Sequence, residues 1–132
     1  MKLADLLVDP DQLYPFSPPK HANTLNHRLW PRHENPSDIE VIHGFLGHGG
    51  GADPHFHSVS DQMVYMLSGE LKIIGNEDSV IMQAGQFIFI PKGLEHRVEV
   101  LSQDGANIIV MYMPRLSVSD ILPAKNLQAA ES

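Results

Sequence analysis

Between residues 39 and 113 the chain never runs apolar for long. Short stretches rich in Val, Ile, Met and Phe (39–46, 62–67, 70–74, 79–82, 86–90, 96–101 and 107–113) are cut by turns that mostly carry glycine or proline, at intervals of about ten residues. A helix with a buried face needs a 3.6-residue apolar period held over three turns or so, whereas a strand needs about five or six residues. Ten glycines and ten prolines among 132 residues leave no room for the first and ample room for the second. The pattern predicts an all-β sandwich or barrel of roughly seven or eight strands. Within it, Gly47-His48-Gly49-Gly50-Gly51 is expected to break the strand that starts at residue 39.

The flanks read differently. Residues 1–38 form a proline-rich N-terminal arm, expected to be irregular because Pro10, Pro15, Pro18, Pro19, Pro31 and Pro36 forbid a long helix and keep the chain extended or turning. Leu3, Leu6 and Leu7 allow one helical turn before Asp9-Pro10. Tyr14, Phe16 and Trp30 are large apolar groups that call for a surface to pack on, the barrel or a second subunit. After the barrel segment, 39–113, the C-terminal segment 114–132 offers a short helix over 117–122 and a loose tail. No internal repeat is visible, so one barrel is expected rather than a tandem pair.

Composition narrows the function classes. Apolar residues make up 42% and charged residues 19% of the chain, as in an ordinary folded domain. Nine basic and sixteen acidic residues give a formal charge of −7, a poor basis for gripping a phosphate backbone or an anionic membrane. No apolar stretch approaches the ~20 residues of a membrane span, and the first residues are interrupted by Asp5 and Asp9, unlike a signal sequence. With no cysteine there is neither a disulfide framework nor thiolate ligation. A cytoplasmic protein with a small-molecule ligand, and with no nucleic-acid or membrane partner, is the expectation.

The chemistry lies in the histidines. His55 and His57 are two apart, so on a strand both side chains leave the same face. His96 follows a Pro91-x-Gly93 turn. Three imidazoles and an amide oxygen can form one side of a metal's coordination shell. The full spacing is Gly49-x5-His55-x-His57-x4-Gln62-x6-Gly69, then after fifteen residues Gly85-x5-Pro91-x-Gly93-x2-His96. It resembles the two sequence motifs of the cupin family, glycines and proline included, over about residues 39–113. The resemblance implies a double-stranded β-helix, or jelly-roll barrel. It also implies one divalent ion (Fe, Mn, Ni or Zn) on His55, His57, Gln62 and His96, and often a homodimer. Two positions depart from the family pattern: Gln62 stands where Glu is usual, and Val100 where Asn is usual.

The departure at Gln62 bears on chemistry. A carboxylate would neutralise part of a dication and could take a proton; an amide does neither. Three neutral histidines and Gln62 leave a full double positive charge, which strengthens Lewis acidity and favours an anionic or enolate-like ligand. Gln62 resting nearby as a hydrogen-bonding neighbour is the plainer alternative. Tyr65 and His43, with Tyr112 and His48, are the candidates for moving protons; His21, His27 and His33 lack motif spacing and read as surface or structural residues. Counting by two puts Val64 and Met66 on the face of Gln62, and Val98 and Val100 on that of His96. These are either pocket walls or plain core, and plain core is the better reading of Met66 and Val98. Which face of 86–90 points inward, Phe87 and Phe89 or Ile88 and Ile90, is open. The expected function is a metal-dependent enzyme acting on a small aromatic or carbonyl-containing molecule, as a dioxygenase or as a Lewis-acid isomerase, lyase or cyclase. A binding or sensing module without turnover is the alternative.

Overall fold

The computed structural model describes residues 2–17, 21–30 and 38–124. Among the described residues nine strands carry the fold: β1 (His21–Trp30), β2 (Glu40–His57), β3 (Asp61–Ser68), β4 (Glu70–Ile74), β5 (Ser79–Gln83), β6 (Phe87–Ile90), β7 (His96–Val100), β8 (Ala106–Met113) and β9 (Ile121–Pro123). The backbone ladder runs β5-β4-β7-β2-β8-β3-β6, with β1 and β9 added along β2. Every pairing is antiparallel, and the sheet curls into a nearly closed barrel, the jelly roll expected of the sequence.

Alternation sorts side chains as the period of two requires. On β3, Gln62, Val64 and Met66 are buried and Tyr65 is exposed; on β8, Ala106, Ile108, Val110 and Tyr112 are buried. On β6, Ile90 is buried and Ile88 half-buried against the core, while Phe87 and Phe89 face out. That settles the inward face left open by the sequence. Leu71, Ile73, Met82 and Val100 complete the interior with Ile42 and Leu46.

Two expectations need correcting. The glycine run does not end a strand, because β2 continues through it for 18 residues. Gly51 has a φ of +144°, and a Cβ there would stand 2.0 Å from the carbonyl oxygen of Val98. Glycine lets β2 press against β7 and pass a bulge between Ala52 and His55. The strand thereby pairs first with β8, through residues 40–46, and then with β7.

The arm, in turn, is not irregular throughout. Residues 21–30 form β1, paired with β2 from His21↔Ala52 to Trp30↔Val41. Its Asn, His and Arg residues carry little strand preference of their own; β2's free edge supplies the ladder that holds them. Phe16 packs on the barrel core, and Arg28 lies 5.5 Å over its ring, but Tyr14 is 95% exposed. The expected turns appear as 3-10 segments at Leu3–Asp5 and Val118–Asp120, the latter running into β9 rather than extending as a helix. His33 and the tail beyond residue 124 lie outside the described residues. Among the described residues no helix is long and apolar enough to cross a membrane.

Candidate metal centre

Strand register assembles the site. His55 on β2 lies opposite His96 on β7, and the two rings are 4.4 Å apart. His57, two residues on, shares their side, with its ring 4.9 Å from His55 and 5.6 Å from His96. The turn before β7 is built to deliver His96. Leu94 N–H donates to Pro91 C=O (3.2 Å), Gly93 N–H donates to the carbonyl of His57 (2.8 Å), and Lys92 N–H donates to Asp61 Oδ1 (3.0 Å). A φ of +84° at Gly93 is what that turn needs from a glycine. All three imidazoles are buried, and one potential ligand atom from each lies within 4.8 Å of the others.

Hydrogen bonds leave these rings ready to ligate. His55 Nδ1 contacts the carbonyl of Asp53 (2.7 Å) and His96 Nδ1 that of Leu94 (2.9 Å). A carbonyl only accepts, so each Nδ1 carries the proton and each Nε2 keeps its lone pair. Neither ring nitrogen of His57 makes a hydrogen bond of good geometry, and the side-chain oxygen of Gln62 makes none either, although the two groups are close enough for the amide to act on the ring. Buried polar atoms without partners are costly, and a cation among them would satisfy all at once. The donor set therefore fits one divalent ion.

Electrostatics agree. Burial first, then the charge of a neighbouring His96, pushes His55 down to about 3, against the Asp53 carbonyl. Burial, with His96 and His21 adding to it, pushes His57 down to about 4; the nearby Gln62 amide opposes the shift. His96 is lowered too, chiefly by burial. Near neutral pH the three rings are uncharged, the form a metal requires.

Gln62, Tyr112 and Glu40 form a cross-strand row, since Gln62 lies opposite Tyr112 and Tyr112 opposite Glu40. All three are buried. The Gln62 amide nitrogen donates to the Tyr112 hydroxyl (3.4 Å), which turns the amide oxygen the other way. Tyr112 lies 5.3 Å, ring to ring, from His57. Burial, then the Glu40 carboxylate, raises its pKa, so its phenol stays protonated. Glu40 itself is paired with Arg28 (2.5 Å) on β1.

The remaining candidates separate. Tyr65 points away from the interior, and His43, on the outward face of β2 beside His27, does the same. His48 is exposed, with Nδ1 3.0 Å from the Ser102 carbonyl. None of the three reaches the histidine cluster, because each sits on the wrong phase of its strand or beyond the bulge. His21 does reach it: β1 carries it to 5.7 Å from the His55 ring. No motif marks His21; only the pairing of β1 with β2 puts it there. Together His21, Gln62, His96 and Tyr112 line one side of a cavity of about 50 Å³. Val64, Val98, Ile108 and Val110 are among its apolar walls, while Met66 is plain core.

Residues 42–112 match the family model for the Cupin domain, and the chain belongs to that family. It is 29% identical over 105 residues to the Tetracenomycin polyketide synthase protein TcmJ of Streptomyces glaucescens, covering 72% of this chain and 70% of that one. Among solved structures, the polyketide cyclase RemF from Streptomyces resistomycificus superimposes with a TM-score of 0.75 at 18% identity, over 99% of this chain and 88% of that one. A predicted oxalate decarboxylase from Thermotoga maritima gives a TM-score of 0.70 at 16% identity, over 83% of this chain and 99% of that one. At such identities the structural likenesses speak for the fold.

Proposed function

We propose that this cupin is a metal-dependent enzyme that closes a carbon ring within a small polycarbonyl molecule, with His55, His57, His96 and Gln62 holding one divalent ion. The observation that carries the reading is the convergence of three buried, uncharged imidazoles with the partnerless oxygen of Gln62. The similarity to a polyketide synthase protein and to a polyketide cyclase supports ring closure among the reactions such a centre could serve, which include dioxygenation. A bound ion of this kind supplies Lewis acidity toward a carbonyl or enolate oxygen.

The chain's own residues supply the rest. No carboxylate lines the cavity among the described residues, so the centre keeps its positive charge for an enolate. Ring closure takes a proton from the carbon between two carbonyls, joins that carbon to a carbonyl carbon of the same molecule, and returns a proton to the carbonyl oxygen; loss of water follows. Tyr112 holds a proton at its hydroxyl beside the amide of Gln62, which supports it as the donor to that oxygen. Apolar walls from Val64, Val98, Ile108 and Val110 keep bulk water from the enolate. We place the protein in the cytoplasm, in keeping with its lack of cysteine.

Metal analysis of protein purified without chelator, followed by titration with acetylacetone, tests the reading. Acetylacetone carries the β-dicarbonyl head alone and binds as its enolate. One divalent ion per chain and acetylacetone binding lost in His57→Ala are the expected results. Protein that retains no divalent ion when supplied with Fe, Mn, Ni and Zn would overturn it. A binding module without turnover would hold the dione but release polycarbonyl substrates unchanged.

A further inference from the structure

The sheet's two ends, β5 and β6, face each other across a seam that no ladder closes among the described residues. One end of that seam is fastened. Met66 N–H donates to Gln86 C=O and Gly85 N–H to Met66 C=O, both at 2.9 Å, and Met82 is buried beneath them. The other end, beside His96, stands open. Val80 pairs with Ile73 in the β4–β5 ladder, so both side chains project to the barrel interior. Yet Ile73 is 6% exposed and Val80 41%. An inward valine that exposed means the wall gapes there.

The gap is a groove of about 170 Å³, lined by Ile73, Val80, Ile88, Ile90, Leu94 and His96 among others. Three of these, Ile73, Ile90 and His96, also line the central cavity. Groove and central cavity therefore adjoin along these three side chains. The central cavity, about 50 Å³, offers room for only a few water-sized groups, since one takes roughly 10–15 Å³ by such a measure. It accommodates a reacting head and little more. On the β1 side the cavity is bordered by His21, Thr24 and Asn26, polar groups that give a hydrocarbon nothing. The groove at the seam is mostly apolar, with Asp78, Ser79 and Glu95 also in its lining, and it starts at His96.

We infer that the β5–β6 seam is a substrate subsite that takes the apolar tail of an acyl-chain polycarbonyl whose oxygenated head sits at the histidines. This rests on the function proposed above and adds where the remainder of the substrate lies. Chain length is then read at the seam by burial of methylenes, each worth roughly fourfold in affinity when fully covered. Val80 sets the width of the entrance.

Acetylacetone and nonane-2,4-dione share one β-dicarbonyl head and differ only in tail, so calorimetric titration of the metal-loaded protein with both reads the seam directly. The tailed dione should bind at least about tenfold more tightly to the native protein. Val80→Trp should erase that advantage while leaving metal content and acetylacetone affinity unchanged. Val80→Phe, a smaller plug at the same place, should reduce it part-way and guards against a Trp variant that folds poorly. Equal binding of the two diones, or an advantage that survives both plugs, overturns the seam subsite and leaves the metal-centre reading standing. If neither dione binds the metal-loaded protein, the metal-centre reading falls and the subsite with it.

Discussion

At the scale of single residues, Gln62 gives the site its character. Its oxygen is partnerless and its nitrogen is spent on Tyr112, so the amide has one orientation toward the histidines. Tyr112→Phe keeps the shape and removes that hold; metal affinity should fall about tenfold to a hundredfold, as loss of a supporting hydrogen bond to a ligand does, with competition against a chelator as the readout. Gln62→Glu should do the reverse. Opposite unit charges about 4 Å apart attract by roughly 4 kcal/mol at an effective dielectric near 20, before desolvation is subtracted. The ion should be held more tightly while acetylacetone binds more weakly, because the centre's net charge has dropped. Unchanged affinity for both in Gln62→Glu would make Gln62 a bystander of a three-histidine site. The grouping of His55, His57 and His96 was legible in the sequence, from a pair two apart on a strand and a turn that needs glycine, whereas the expectation of Gln62 as a fourth ligand came from the resemblance to the cupin motifs. His21 was not legible, since nothing local to it distinguishes a site histidine from a surface one.

At the scale of elements, what could be read depended on whether a strand's own residues specify it. β3, β4 and β8 fall within a residue or so of the apolar runs at 62–67, 70–74 and 107–113, because alternation and β-branched or aromatic residues mark them. β1 carries His, Asn, Thr and Arg and is a strand because β2 offers an edge, a long-range cause that no local pattern records. The glycine run misleads for a related reason: Gly51 is needed for close approach to Val98, and glycine serves contact as readily as it breaks strands. Gly51→Ala tests this reading. A Cβ 2.0 Å from the Val98 carbonyl oxygen must push β2 off β7, and with it the register of His55 against His96. Stability should drop by roughly 2 kcal/mol or more, within the range of strained backbone substitutions, and metal retention should weaken as well. Denaturant titration with metal analysis reads both; a variant as stable as the native chain would mean that the bulge relaxes without effect.

At the scale of the whole molecule, the outer face of β6, β3 and β8 is apolar where solvent would favour charge. Tyr65, Phe87 and Phe89 are 42%, 55% and 51% exposed, and the strand register sets them beside Met63, Met111 and Ile109 with no charged residue among them. In a chain of formal charge −7, an uncharged face is where a second copy meets the least repulsion. We propose that the homodimer expected from the sequence forms here rather than around Tyr14 and Trp30, Phe16 being already packed on its own barrel. Sedimentation should give a dimer at micromolar concentration and a monomer for Phe87→Asp; a native monomer would refute it. Acid reports on the same molecule from inside. His55 and His57 titrate at about 3 and about 4 when folded, against 6.5 in an unfolded chain. Between those values the unfolded state binds more protons, so the histidines' contribution is complete above pH ~6.5 and is lost as pH falls through the folded values. For metal-free protein, denaturation should therefore show roughly 4 kcal/mol less stability near pH 5 than near pH 7.5, about 2 kcal/mol from each of the two rings. A bound ion competes with protons for the same nitrogens, so the metal-loaded protein should hold its stability to lower pH and then release metal and unfold together. A metal-free protein equally stable at both values would mean that the three rings open to water long before the barrel does.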